Sequence, residues 1–306
     1  MILTVTLNPS VDIRFTVDEF YKDGVFRAKE NQQTAGGKGL NVSRVLNQLG
    51  SPVTATGFLG GSNGHFIKQE LDKTDIMNDF IQIQENTRVC IAVLSQDSQT
   101  EVLGKGPVIE DQDLTKFIES YSRLLQKTEI VCISGSQPPG IPATFYKDLI
   151  HLAHKEKVKV LLDTSGEPLN HAVTAEPYLV KPNIDELQAL LNTRMSTESE
   201  IIGGMHRLAS SGIKVVIVSM GSKGALALKD DKVYRIHIPA VTAVNPVGSG
   251  DSMIAGMAHA LYRESNFTDM LTLGAACGIS NAMQMKTGFI DTKEVESIAK
   301  QISIKT

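Results

Sequence analysis

Residues 245–252 read Asn-Pro-Val-Gly-Ser-Gly-Asp-Ser and run straight into a helical pattern, with Ile254, Met257, Ala258 and Leu261 at i, i+3, i+4, i+7. This spacing predicts that Asp251 sits in the first turn of a helix. The opening N–H groups of a helix have no intrahelical acceptor and carry the positive end of its dipole. Gly248, Ser249 and Gly250 let an anion approach that bare backbone closely. A carboxylate beside an anion hole suits phosphoryl transfer: it takes the proton of an attacking hydroxyl while the amides hold charge on the phosphate being moved. Taken alone, the same spacing also fits an ordinary helix cap.

Other stretches carry chemistry-bearing residues in comparable settings. Thr34-Ala35-Gly36-Gly37-Lys38-Gly39-Leu40-Asn41 also opens into an amphipathic helix, but lacks the Gly-x-x-x-x-Gly-Lys-Ser/Thr spacing of a nucleotide P-loop. It reads as a sugar-binding turn in which the glycines admit the ring and Lys38 and Asn41 donate hydrogen bonds, or as a turn alone. In Lys181-Pro182-Asn183-Ile184-Asp185-Glu186, Asn183 and Glu186 have the form of a capping box. The same oxygens can hold the waters of a magnesium ion, and Lys181 can reach a nucleotide phosphate. Ser219-Met220-Gly221-Ser222-Lys223-Gly224 ends a β run and suits close approach of a ligand to the backbone, or a plain connection. Arg88 begins another β run and is a candidate clamp for an anionic group, with a surface ion pair as the alternative. A competing motif, Gly60-Gly61-Ser62-Asn63-Gly64, matches the nucleophile elbow of serine hydrolases, yet no later Asp and His stand in strand-end settings to complete a triad. His151 and His154 form the one close histidine pair, on a helix whose pattern faces them to solvent.

The elements that must position these residues alternate. Short β-rich runs at 2–7, 53–59, 130–134, 158–163, 178–181 and 215–219 are separated by helical stripes such as Val42, Val45, Leu46, Leu49 and Phe145, Leu149, Leu152, Ala153. Such alternation predicts an α/β fold with a mostly parallel sheet flanked by helices, whose ligands lie at the strand ends. Two segments break the pattern. Residues 11–17 alternate strictly, and 88–94 with 100–103 read as a hairpin, so insertions at about 10–35 and 86–107 are expected to form a small antiparallel β lid, a dimer interface, or both. The lid returns to the same body, so the expectation is one domain over 1–306. A lid would exclude water from a phosphoryl-transfer site.

Composition narrows the partners. With 30 Lys+Arg against 34 Asp+Glu, the net charge of −4 gives no field for nucleic acid or an anionic membrane. The three cysteines, Cys90, Cys132 and Cys277, are widely spaced in apolar settings, which suggests buried free thiols. The chain opens without a signal-peptide pattern and no run approaches 18 apolar residues, so a cytoplasmic location is expected.

Taken together, Gly-Gly-Lys-Gly-x-Asn at 36–41, Asn-x-x-Glu at 183–186 and Gly-Ser-Gly-Asp at 248–251 resemble the ribokinase-like, phosphofructokinase-B type carbohydrate kinases. Thr6-Leu7-Asn8-Pro9-Ser10-Val11-Asp12 and Ile133-Ser134-Gly135-Ser136-Gln137-Pro138-Pro139-Gly140 narrow the likeness to kinases of phosphorylated ketohexoses. The late motif, Asn245 to Asp251, is most similar to that of tagatose-6-phosphate kinases, with 1-phosphofructokinases as the sister group. The resemblance implies ATP with Mg²⁺ as donor, Asp251 as base, and the Gly248, Ser249 and Gly250 amides as anion hole. It further implies Lys181, Asn183 and Glu186 around phosphate and magnesium, Ser219, Gly221 and Gly224 along the nucleotide, and Asn281 near its base. Asp12, Gly36, Gly37, Lys38 and Asn41 would hold the sugar, Arg88 with Lys38 its existing phosphate, and the lid would pair in a homodimer. A non-catalytic sugar-phosphate or nucleotide sensor is the alternative on the same fold.

Overall fold

A computed structural model describes residues 1–96 and 98–306; position 97, within the 86–107 insertion, lies outside the described residues. In chain order the first half contains β1 (Ile2–Thr6), β2 (Ser10–Thr16), β3 (Glu30–Gly36), α1 (Lys38–Gln48), β4 (Val53–Gly60), α2 (Gly61–Asp72), β5 (Met77–Ile83), β6 (Arg88–Leu94), β7 (Gln99–Leu103), α3 (Asp111–Leu125), β8 (Ile130–Ser134) and α4 (Phe145–Lys155). The second contains β9 (Lys159–Asp163), α5 (Gly166–Ala172), β10 (Leu179–Val180), α6 (Ile184–Leu191), α7 (Glu198–Ala209), β11 (Val215–Ser219), β12 (Ala225–Lys229), β13 (Lys232–His237), α8 (Ser249–Tyr262), α9 (Phe267–Met283), α10 (Thr292–Ala299) and β14 (Ser303–Lys305).

Ten strands form one sheet in the order β14-β13-β12-β11-β10-β9-β8-β1-β4-β5. From β5 to β11 the neighbours pair in parallel, and β12, β13 and β14 add an antiparallel edge. The parallel strands are hydrophobic on both faces because both are covered. In β8, Ile130 and Cys132 enter one core while Val131 and Ile133 enter the other, and in β11 Val215 and Ile217 split from Val216 and Val218 in the same way. One core packs beneath α1, α8 and α9; the other lies beneath α3, α4 and α7. Where α1 crosses the sheet, the polar Thr4 and Ser43 are buried together and satisfy each other at 2.6 Å.

The two insertions form a separate four-stranded sheet, β3-β2-β6-β7. Each insertion is an antiparallel pair, β2 with β3 and β6 with β7. The two pairs are joined by a parallel pairing of β2 with β6, which sets Asp12 opposite Cys90. Residues without strong β alternation, such as β3's Glu-Asn-Gln-Gln, are held in strand conformation by β2 rather than by their own propensity.

Candidate active site

The C-terminal ends of the central parallel strands, the lid sheet and the start of α8 enclose a cleft of about 640 Å³. Thr6 ends β1, Ser134 ends β8, Asp163 ends β9, Lys181 follows β10 and Ser219 ends β11, so adjacent strands each deliver one polar side chain to the same crevice.

Asp251 lies at its floor, 5% exposed. Asn41 Nδ2 donates to Asp251 Oδ2 at 2.7 Å, and no protein donor meets Oδ1 among the described residues. Burial raises this carboxyl's pKa to about 6. The neighbouring Asp163 carboxylate adds to the rise, while Lys38, the Asn41 hydrogen bond and Lys181 oppose it. Gly248, at φ +84°, turns the chain into α8 in the left-handed region, and a Cβ there would lie 2.6 Å from Thr287 Cγ2. The Gly250 and Asp251 amides have no backbone acceptor among the described residues and line the cleft with Gly248.

Ser249 departs from the expected anion hole. Its N–H donates to Pro246 O at 3.2 Å, its Oγ is buried without a partner, and it does not line the cleft. The turn that brings Gly248 and Gly250 forward spends the Ser249 amide on its own closure.

Asp163 is the charged cleft residue that motif reading missed. It is 2% exposed and lies between Lys181 Nζ at 3.3 Å and Lys38 Nζ at 3.6 Å. Burial alone would raise its pKa; the two ammonium groups outweigh burial and hold it below the usual carboxylate range. Lys38 is raised in turn, chiefly by Asp163, with Asp251 and Glu186 adding to the effect. The available signal was position alone: an acid closing a buried parallel strand.

At the lid end, Ser10 Oγ donates to Asp12 Oδ1 at 2.6 Å, and burial raises the Asp12 pKa against that bond and the nearby Arg44 and Arg88. Gly36 leaves room for this carboxylate, since a Cβ there would lie 2.1 Å from Asp12 Cγ. Gly36 therefore backs the cleft rather than lining it, whereas Gly37, Lys38 and Asn41 line it. Arg88 also lines the cleft, with Nη1 on Gly104 O at 2.8 Å and Nη2 on Asn8 O at 2.9 Å. Its guanidinium thus tethers the second lid hairpin to the end of β1 and keeps further N–H groups for a ligand. Thr6 Oγ1, Asn8 Oδ1 and Ser134 Oγ line the same region, buried without protein partners.

Asn183 and Glu186 make the capping box, with Glu186 N donating to Asn183 Oδ1 at 2.8 Å and Asn183 N to Glu186 Oε2 at 2.9 Å. Both line the cleft, and the box leaves Glu186 Oε1 free. No group of three or more His, Cys, Asp or Glu that could hold a metal occurs among the described residues. A cation here would be held by few carboxylates, with water and substrate oxygens completing its shell, which is how Mg²⁺ binds; the hard oxygens of Glu186 and Asn183, which line the cleft, fit it.

Three nucleotide candidates fall outside the cleft lining. Gly221 stands in an exposed turn with open space where a Cβ would be. Gly224 packs under β13, where a Cβ would lie 2.2 Å from Ile236 O. Asn281 is 0% exposed and spends its amide internally: Nδ2 donates to Val247 O at 2.9 Å and Oδ1 accepts from Gly288 N at 2.8 Å. Its position supports the turn before Gly248 from behind. Of this group Ser219 lines the cleft.

The Gly60–Gly64 elbow does form a strand-to-helix turn, but Ser62 is exposed, lies away from the cleft and has no histidine partner among the described residues. His151 and His154 are exposed on α4, and the three cysteines are buried free thiols. No helix among the described residues is long and apolar enough to cross a membrane.

The model of the pfkB family carbohydrate kinases matches residues 5–293. A tagatose-6-phosphate kinase of Staphylococcus epidermidis is 41% identical over 307 aligned residues, covering 99% of each chain. Among solved structures, a putative phosphofructokinase from Staphylococcus aureus superposes with a TM-score of 0.86 at 32% identity, covering 100% of this chain and 98% of that one. Phosphofructokinase-2 from Escherichia coli, solved with fructose-6-phosphate, gives 0.89 at 26% identity over 98% of both chains.

Proposed function

From the premise that this chain belongs to the pfkB family of carbohydrate kinases, we propose that it moves the γ-phosphoryl group of ATP to a ketohexose monophosphate, tagatose 6-phosphate first, forming a bisphosphate and ADP. The observation that carries this reading is the placement of Asp251: a buried carboxylate with one oxygen free, at the floor of a cleft whose other walls are lid strands and phosphate-suited lysines. The sugar preference rests on the 41% identical relative.

The sugar hydroxyl attacks the γ-phosphorus in line, and its proton passes to Asp251 Oδ1 as the new O–P bond forms. The bond from the γ-phosphorus to the bridging oxygen breaks and ADP leaves. Because the transition state is loose, the protein's contribution is position and charge. The Gly248, Gly250 and Asp251 amides hold the transferring oxygens. Lys181 and Lys38 counter phosphate charge, each aimed by its ion pair with Asp163. A Mg²⁺ ion, held through water by Glu186 and Asn183, would neutralise charge on the donor phosphates. Asp12 and Asn41 orient the sugar, and Arg88 with Lys38 takes its existing phosphate.

The whole chain acts in this reading as one kinase domain working in the cytoplasm. The lid sheet pairs with that of a second copy, supported by the exposure of Val102 and Leu103, 64% and 65%, on its edge strand β7. The deciding experiment measures ADP release with tagatose 6-phosphate, fructose 1-phosphate and fructose 6-phosphate in parallel. Preference for the first is expected; preference for fructose 1-phosphate reassigns the chain as a 1-phosphofructokinase; no release with any of them overturns the kinase reading in favour of a sensor.

A further inference from the structure

The side chain that steadies Asp251 is itself steadied from outside the cleft. An amide presents an acceptor on one side and two donors on the other, so its neighbours decide which way it faces. Arg44 Nη2 donates to Asn41 Oδ1, which leaves the Asn41 NH₂ for Asp251 Oδ2. The same guanidinium reaches two further segments. Nη1 donates to Ala35 O at 2.6 Å, near the end of lid strand β3, and Nη2 reaches Thr287 O at 3.4 Å in the loop between α9 and α10. That loop in turn meets the turn before α8, because Asn245 Nδ2 donates to Thr287 Oγ1 at 3.3 Å. Burial pushes the Arg44 pKa down to about 10, so it remains a cation at neutral pH.

We propose that Arg44 is a positioning residue for Asp251: it fixes the orientation of the Asn41 amide, and it does so only while lid strand β3 and the 284–288 loop are both seated against its guanidinium. The inference deepens the kinase reading, and its bearing on catalysis rests on Asp251 being the base. A planar fork with five donors can meet acceptors from three segments at once; a lysine in its place keeps the charge and loses that geometry. The other charged groups facing Asp251 are Asp163 from β9, Lys38 from α1 and Lys181 after β10, and Arg44→Lys leaves all three in place.

The test compares wild type, R44K, N41A and the R44K/N41A double variant as purified full chains. Turnover is measured with whichever of the three sugar phosphates the wild type uses best, alongside a ¹³C-carboxyl titration of Asp251 assigned by its loss in D251N. Expected for R44K is a kcat lower by about 10- to 100-fold, a KM for ATP within about twofold, and an acid limb of kcat and an Asp251 titration midpoint both moved to higher pH. In the N41A background, R44K should add less than about a twofold loss and no further midpoint shift. An unchanged midpoint in R44K, or losses that multiply in the double variant, overturns the proposal. If R44K does not fold, R44Q, which keeps one donor for Asn41 Oδ1, is held to the same double-variant test. The titration needs no turnover, so it judges Arg44 even if the wild type releases no ADP and the kinase reading fails.

Discussion

Replacing Asp251 by asparagine should lower activity and raise stability at the same time, with the second effect set by pH. The amide keeps the shape of the carboxylate, and its oxygen can still accept from Asn41 Nδ2, at 2.7 Å in the native protein. It cannot take a proton from the acceptor hydroxyl, so kcat should fall by roughly 10²- to 10⁴-fold, equivalent to about 3–5 kcal/mol of transition-state stabilisation. For stability, the folded carboxyl titrates at about 6 against 3.8 for the free group, because it is buried and beside Asp163. The folded state therefore binds this proton more tightly than the unfolded state. Stability falls as pH rises through the window from 3.8 to about 6, and stays lower above it. At about 1.4 kcal/mol per tenfold, the loss at pH 8 is roughly 3 kcal/mol. Asparagine does not ionise and escapes that loss. Tm of D251N should exceed that of wild type by about 5 °C at pH 8 and match it near pH 4. Calorimetry at the two pH values, steady-state turnover and an ATP titration check all three parts, with ATP affinity expected to hold within about threefold. A kcat within tenfold of wild type would refute the assignment of the base, and a Tm difference that ignores pH would refute the electrostatic argument.

In wild type, kcat/KM should drop about tenfold per pH unit below about 6, because the base must be ionised. Asp163→Asn should shift that limb to lower pH, since it removes a like charge from beside Asp251. It should also cost about 3–5 kcal/mol in urea denaturation at pH 7, as Lys181 loses its buried partner. Because the Asp163 pKa is lowered in the fold, its contribution is present above the unfolded value and fades as pH falls through the folded one, so the D163N deficit should shrink in acid; a constant deficit would argue against the ion pair. Arg88→Ala should raise KM for the sugar phosphate by roughly 10- to 100-fold and KM for ATP by less than about threefold, and equal effects on both would dismiss the clamp. Glu186→Gln should raise the Mg²⁺ concentration for half-maximal rate by roughly tenfold, read from a Mg²⁺ titration at fixed ATP; an unchanged titration would limit Glu186 to capping.

Where local pattern carries the information, sequence and structure agree closely. The 130–134 and 215–219 runs are β8 and β11 to the residue, because strands buried on both faces must be apolar throughout and end where the chain turns polar. The Asn183–Glu186 box follows from spacing within one helical turn. The lid insertions coincide with two hairpins, yet nothing local says that β2 joins β6 in parallel, since that pairing links segments over 70 residues apart. Asn281 and Gly224 show the converse: types suited to a ligand that the fold uses to brace its own backbone.

From its residues alone the chain determines an acid at a glycine-rich helix start, a lysine-bearing turn, an alternating α/β body and a small β insertion, because each depends on neighbours a few positions away. The tertiary structure alone decides that Asp163 stands between Lys38 and Lys181, that Ser249 is turned from the cleft, and that Arg44 reaches Asp251 through Asn41. Those relations join side chains delivered by separate strands and helices, or facing inward from a single helix. Burial, which sets their charges and their worth, exists only once the sheet has closed around them.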